Sequence, residues 1–122
     1  MKSLWLDKKI VSVLDKLGRK ICRKFKYRYS SIKRMHRNDN EFSACVGYCD
    51  KMSKNIRIEM RTLKGRFHSI EYLVDTLIHE IAHTRDEIYG PEHSSDWNER
   101  YLELKEWIRI EYGLFQPKKR GR

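Results

Sequence analysis

His79, Glu80 and His83 form the pattern H-E-x-x-H, and a third histidine, His93, follows ten residues later. On a helix, His79 and His83 stand one turn apart, about 6 Å along the axis, so both imidazoles can reach one cation. Glu80 points to the neighbouring face, where it can take a proton from a water activated by the metal without being a ligand. Zn2+ suits this donor set, because it accepts neutral imidazole nitrogens and a catalytic zinc keeps three protein ligands and one open position.

Three sources of a third ligand follow from the order of the chain. Asp86 is in register with His79, but on a straight helix it lies about 10.5 Å away, too far to share one ion unless the helix breaks. His93 comes after Gly90-Pro91, a pair that ends a helix and lets the chain turn back. Glu99 or Glu103 would serve a site of two histidines and one glutamate. A short H-E-x-x-H string also arises by chance on a solvated, charged helix. Here it lies within the apolar pattern Ile70, Leu73, Val74, Leu77, Ile78, Ile81, Ala82. A helix that buries this face does not carry two histidines and a glutamate without partners, because their desolvation is costly.

The elements that must position these residues are visible as periodicities. Residues from Ser3 to about Lys26 read as a helix capped by Ser3, with Ile10, Leu14, Leu17, Ile21 and Phe25 on one face. Lys16, Arg19, Lys20 and Arg23 make a basic stripe on the same helix, and Gly18 weakens it by roughly 1 kcal/mol relative to Ala. Residues 26–35 alternate around Tyr27, Tyr29 and Ile32 as a strand. Phe42–Tyr48 reads as a second strand with Gly47 as a bulge, and Ile56–Arg61 as a third, joined to the second by the turn Asp50–Asn55. The metal helix is capped by Ser69 and runs to about Arg85 or Ile88. A closing helix spans Asp96 to about Tyr112, burying Trp97, Tyr101, Leu104, Trp107 and Ile108, and ends at Gly113. Trp97 can wall the site or serve as core. His68, some three turns ahead of His79, is not expected to be a ligand, and His36 is read as a surface histidine. Cys45 and Cys49 are read as half-buried strand residues and Cys22 as core.

A chain of 122 residues is expected to form one domain, residues 1–115, with residues 116–122 a basic disordered tail. No window of about 18 apolar residues exists to span a membrane. The early charges in Met1–Lys9 speak against a signal peptide. Three cysteines do not make a disulfide framework, so an intracellular setting, nucleus or cytoplasm, is expected. The chain is also expected to be a monomer. The net charge of +10 is uneven: residues 1–37 hold thirteen Lys/Arg and two acids, residues 38–116 ten and fifteen, and residues 117–122 four and none. Basic ends around an acidic middle point to a polyanion, most simply DNA, met by Lys16, Arg19, Lys20 and Arg23 and by Lys118, Lys119 and Arg120. A cationic face kept for solubility has the same composition.

The run Ile56–Arg61, the apolar helix with His79-Glu80-Ile81-Ala82-His83, and Gly90-Pro91 with His93 and Trp97 together resemble the WLM domain. They are also similar to the wider SprT-like (Spartan) group of zinc metallopeptidases. The likeness spans roughly residues 42–104, and the nine residues between His83 and His93 are closer to SprT-like spacing. It implies an enzyme that cleaves proteins crosslinked to DNA, with His79, His83 and His93 as zinc ligands and Glu80 as general base. The expected fold is α+β and zincin-like: a basic N-terminal helix, a small antiparallel sheet, the H-E-x-x-H helix and a closing C-terminal helix. The expected function is zinc-dependent peptide hydrolysis associated with DNA, with Ile56–Arg61 as an edge strand for substrate and Tyr89 or Tyr101 as oxyanion donor. The alternatives are a nucleic-acid-binding module with a structural or inactive zinc site, and a peptidase acting on free protein without DNA.

Overall fold

The computed structural model describes residues 2–34, 47–62, 66–88, 90–91 and 93–117, with side chains from residue 6 onward. Among these residues, three helices, α1 (Lys2–Phe25), α2 (Ile70–His83) and α3 (Ser95–Tyr112), accompany three strands, β1 (Ser31–Arg34), β2 (Gly47–Cys49) and β3 (Asn55–Ile58). This is the α+β arrangement the periodicities imply.

The sheet is mixed rather than antiparallel throughout. Its order is β1-β3-β2, with β1 parallel to β3 and β2 antiparallel to it. The β2–β3 hairpin forms where expected: Asp50 Oδ1 accepts the backbone N–H groups of Met52 and Ser53, and Lys54 takes a left-handed φ of 63° to close the turn. The strand expected over Ile56–Arg61 is Asn55–Ile58, central rather than an edge and paired on both sides, and Arg61 makes only an isolated bridge to Phe67. Gly47 makes no bulge; it pairs in register with Ile58. The strand read over residues 26–35 shrinks to Ser31–Arg34, because Lys26 at φ 63° turns the chain out of α1 first. Most of the Phe42–Tyr48 reading, His36 and Cys45 lie outside the described residues.

Helix α1 starts at Lys2, ahead of Ser3, so Ser3 is not its cap. Its apolar face is used as read: Leu14 and Ile21 are fully buried, and Ile10, Leu17 and Phe25 pack against the core. The last carbonyls of α1 are closed from afar. Arg85 Nη2 donates to the carbonyls of Phe25 and Lys26 at 2.7 and 2.8 Å. Asp7, buried on α1, takes Arg61 on one carboxylate oxygen and Arg34 on the other, tying the helix to β1 and to the chain beyond β3.

Helix α2 lies against the sheet and α3, with Leu77, Ile78 and Ile81 fully buried. Each such side chain contributes on the order of 1.5–3 kcal/mol by leaving water. Ser69 caps α2 by accepting from the Tyr72 N–H, as its type predicts. The helix stops at His83, short of Arg85 or Ile88, because Thr84 turns its hydroxyl back onto the Ile81 carbonyl as C-cap. Ser94 caps α3, and Gly113 ends it in the left-handed conformation (φ 70°).

Candidate metal centre

Helix α2 delivers His79 and His83 one turn apart, and the short 84–93 connection returns His93 to the same spot. His93 does this with a left-handed backbone of φ 54°, a conformation uncommon for a residue with a Cβ. The ligand-capable atoms of His79, His83 and His93 all lie within 4.8 Å of one another, the single such group of three among the described residues. His79 Nε2 and His93 Nε2 are 3.1 Å apart. Two nitrogens at roughly 2.0–2.1 Å from a tetrahedral zinc would be separated by about 3.3 Å, so the donor set fits that ion. Asp86, Glu99 and Glu103 do not join the cluster, and Glu99 and Glu103 are exposed on α3.

Asp86 has a different part. Because α2 ends at His83, the following turn folds Asp86 back, and its Oδ2 sits 2.5 Å from His83 Nδ1. That contact fixes the ring so that Nε2 faces the cluster, the arrangement a ligating imidazole normally has. The Asp86 carboxylate is itself held: Arg100 Nη2 donates to Oδ1 at 2.6 Å, and Lys51 Nζ lies 3.9 Å from Oδ2. Arg100 Nε also donates to the Ala82 carbonyl, Lys51 to the carbonyls of Glu87 and Gly90, and Lys54 to that of Thr84. Cations from the β2–β3 turn and from α3 thereby hold the connection that presents His93. Asp86 is hidden as an orienting group in the sequence because its place depends on the helix ending at Thr84; its position three residues after His83 is its trace there.

Trp97 serves both roles open to it. It is buried, and its ring centroid stands 4.7, 5.1 and 4.5 Å from those of His79, His83 and His93. Its Nε1 donates to the His79 carbonyl at 3.2 Å, which fixes the floor under the three imidazoles. Tyr101 stacks on Trp97 almost coplanar, but its hydroxyl donates to Asp75 Oδ1. Burial first, and then that hydrogen bond, push the Tyr101 phenol upward, so it stays protonated, with Asp75 as its acceptor in this structure. Tyr89 lies outside the described residues. His68 stacks on Tyr72, away from the cluster, as expected.

Glu80 is buried beside the cluster, on the side of α2 that meets β2. Gly47 of β2 comes so close that a Cβ there would lie 2.8 Å from Thr76 Cγ2 and 3.3 Å from Glu80 Oε2. This close approach, not a bulge, is what the glycine serves. Cys49, two residues on, has its thiol pushed up to about 12 by burial and next by the Glu80 charge, which keeps it a thiol.

The basic stripe read on α1 lies at the surface, and its members differ in what they touch. Lys16, Lys20 and Arg23 are exposed, with Lys20 Nζ 5.5 Å from the Tyr112 ring. Arg19, itself partly exposed, also makes contacts within the fold: it donates to the carbonyls of Tyr29 and Ser30, pairs with Asp15, and lies over the Tyr29 ring. Lys118, Lys119 and Arg120 lie outside the described residues.

No protein-family model matches the chain, and comparison with curated proteins gives no match. Among solved structures, a mutant of Wss1 from Saccharomyces cerevisiae is similar with a TM-score of 0.62 and 16% identity, covering 89% of this chain and 87% of that one. A second structure of Wss1 from the same yeast gives a TM-score of 0.60 at 18% identity, covering 77% and 71%. The chain therefore shares the fold of Wss1 over most of its length.

Proposed function

We propose that this protein is a zinc-dependent metallopeptidase acting on DNA-associated protein, with His79, His83 and His93 as ligands and Glu80 as general base. The single observation that carries the reading is the convergence of three imidazoles from two elements beside a buried glutamate, with His83 oriented by Asp86. The Wss1-like fold and the sequence resemblance to the WLM domain support the same reading. A zinc ion held there would supply Lewis acidity toward a peptide carbonyl and would lower the pKa of water toward about 7.

The residues of the chain do the rest. Glu80 receives the proton of the attacking water at its carboxylate and returns it to the leaving amine. Burial of Glu80 keeps bulk water from competing for that proton. Gly47 leaves room for the carboxylate to face the cluster. Because β3 is the central strand of the described sheet, it is not the place for an extended substrate to add as a strand. Trp97 excludes water from beneath the imidazoles.

The test combines zinc content with cleavage of a DNA-binding protein, with and without DNA. One zinc per chain and DNA-stimulated cleavage are expected, with cleavage lost and zinc retained in Glu80→Gln. An active Glu80→Gln enzyme overturns the assignment of the base. Bound zinc without cleavage under any condition would favour the reading as a binding module with a structural metal.

A further inference from the structure

Asp75 stands one turn ahead of His79 on α2, and Tyr101 one turn beyond Trp97 on α3. The Tyr101 hydroxyl donates to Asp75 Oδ1 at 2.5 Å and accepts from Lys105 Nζ at 3.2 Å. Lys105 Nζ is also 3.6 Å from the same Asp75 oxygen, so hydroxyl, carboxylate and ammonium hold one another. The transfer of a proton through Glu80 makes no use of these three groups, yet they sit beside the histidine cluster. What they hold there is a flat surface. The Tyr101 ring is parallel to the Trp97 indole within 5°, their centroids 5.1 Å apart.

His79 stands on that surface. Its ring is inclined 65° to Trp97 at 4.7 Å and 71° to Tyr101 at 5.9 Å, the edge-to-face arrangement that aromatic rings prefer. The contacts close a circuit. Helix α2 carries both Asp75 and His79, Asp75 holds the Tyr101 hydroxyl, and the Tyr101 ring meets His79. The helix thus places its own imidazole twice, once through the backbone and once through a side chain of α3. An imidazole nitrogen donates its lone pair in the plane of the ring, so a tilted ring aims away from the ion. We infer that Asp75 and Tyr101 are positioning residues of the metal centre, which pin the aromatic surface under His79 and thereby set the tilt at which His79 meets a metal. For His83 the same service comes from Asp86, by a hydrogen bond to the ring itself. The inference rests on the three-histidine metal site proposed above and does not require peptide hydrolysis.

The experiment loads the full chain with Co2+, whose visible absorption reports ligand geometry, and measures zinc affinity by chelator competition. The melting temperature of the metal-free chain is recorded beside them. Tyr101→Phe keeps the stacked rings and removes only the hydroxyl. It should shift the cobalt bands and weaken zinc about tenfold, the scale of a lost partner behind a metal ligand. Asp75→Ala should do the same, whereas Asp75→Asn, whose side-chain oxygen can still accept from the hydroxyl, should keep the wild-type spectrum. Tyr101→Phe/Asp75→Ala should be no worse than either single change, because both remove one hydrogen bond. A wild-type spectrum and zinc affinity in Tyr101→Phe, whatever happens to the melting temperature, would make the contact a tie between helices only and overturn the inference. Losses that add in the double variant would also overturn it. Should Asp75→Ala fail to fold, Tyr101→Phe and Asp75→Asn decide the matter between them. The expected shifts in a chain that cleaves no protein would uphold the positioning role while removing the peptidase reading. A wild-type chain that takes up neither metal would remove both.

Discussion

Asp86 separates what a spacing can say from what a turn decides. The i, i+4 relation of His79 and His83 survives in any helix, which is why those two and Glu80 between them were legible in the sequence. The work of Asp86 depends on the helix ending at Thr84, and a hydroxyl folded onto a carbonyl three residues back leaves little mark in a sequence. Replacing Asp86 with Asn keeps the shape but removes the charge that meets His83 and Arg100. Zinc affinity, measured by competition with a chromogenic chelator, is expected to fall 10–100-fold while the fold persists. Unchanged affinity would mean that Asp86 only stitches α3 to the loop. The hydrogen bond from Tyr101 was hidden for a related reason: its partner Asp75 is 26 residues away in sequence, and nothing local announces it.

At the level of elements, all three helices were legible because each carries a 3.6-residue apolar period along several turns. The sheet was not, because a strand of three or four residues carries too little pattern to choose its partner. The parallel pairing of Ser31–Arg34 with Asn55–Ile58 joins residues 24 apart, and the alternation of each strand is silent about the other. Gly18 shows the same limit within a helix. By propensity alone, Gly18→Ala should stabilise α1 by about 1 kcal/mol. A Cβ at residue 18 would lie 2.4 Å from Tyr29 Oη, which is anchored to Asp15, in a ring that is itself buried. The expected outcome is therefore a loss of about 1–3 kcal/mol from overpacking, read as a lower urea midpoint. A gain would show that Tyr29 can move aside.

For the molecule as a whole, several buried groups favour the protonated form. Burial pushes the Cys22 thiol up to about 11 and the Cys49 thiol to about 12, against an ordinary value of 9.0, and raises the phenols of Tyr27 and Tyr29 as well. A group whose pKa is raised by folding lends stability that is fully present below its unfolded value and lost as pH rises through the folded one. Melting temperature is thus expected to hold up to about pH 9 and to fall steadily toward pH 12. The double variant Cys22→Ser/Cys49→Ser should shallow that fall, and an equally steep fall would assign the effect to the tyrosines. The uneven charge read in the sequence persists at this scale, yet the fold redistributes it. Arg19 and Arg85 spend their charge on carbonyls within the chain, while Lys33 and Arg57 become neighbours only through the sheet.

The left-handed backbone of His93 sets a tempo as well as a position. Two of the three imidazoles ride on a helix whose core residues are fully buried, and the third stands exposed on a connection held mainly by lysine and arginine contacts to carbonyls. Opening that connection costs far less than unfolding α2. An ion in this centre would arrive at the helical pair first and be locked by the returning loop, and it would leave in the reverse order. The residence time of such an ion would then depend on the contacts of Lys51, Lys54 and Arg100 with the backbone carbonyls rather than on the strength of the helix.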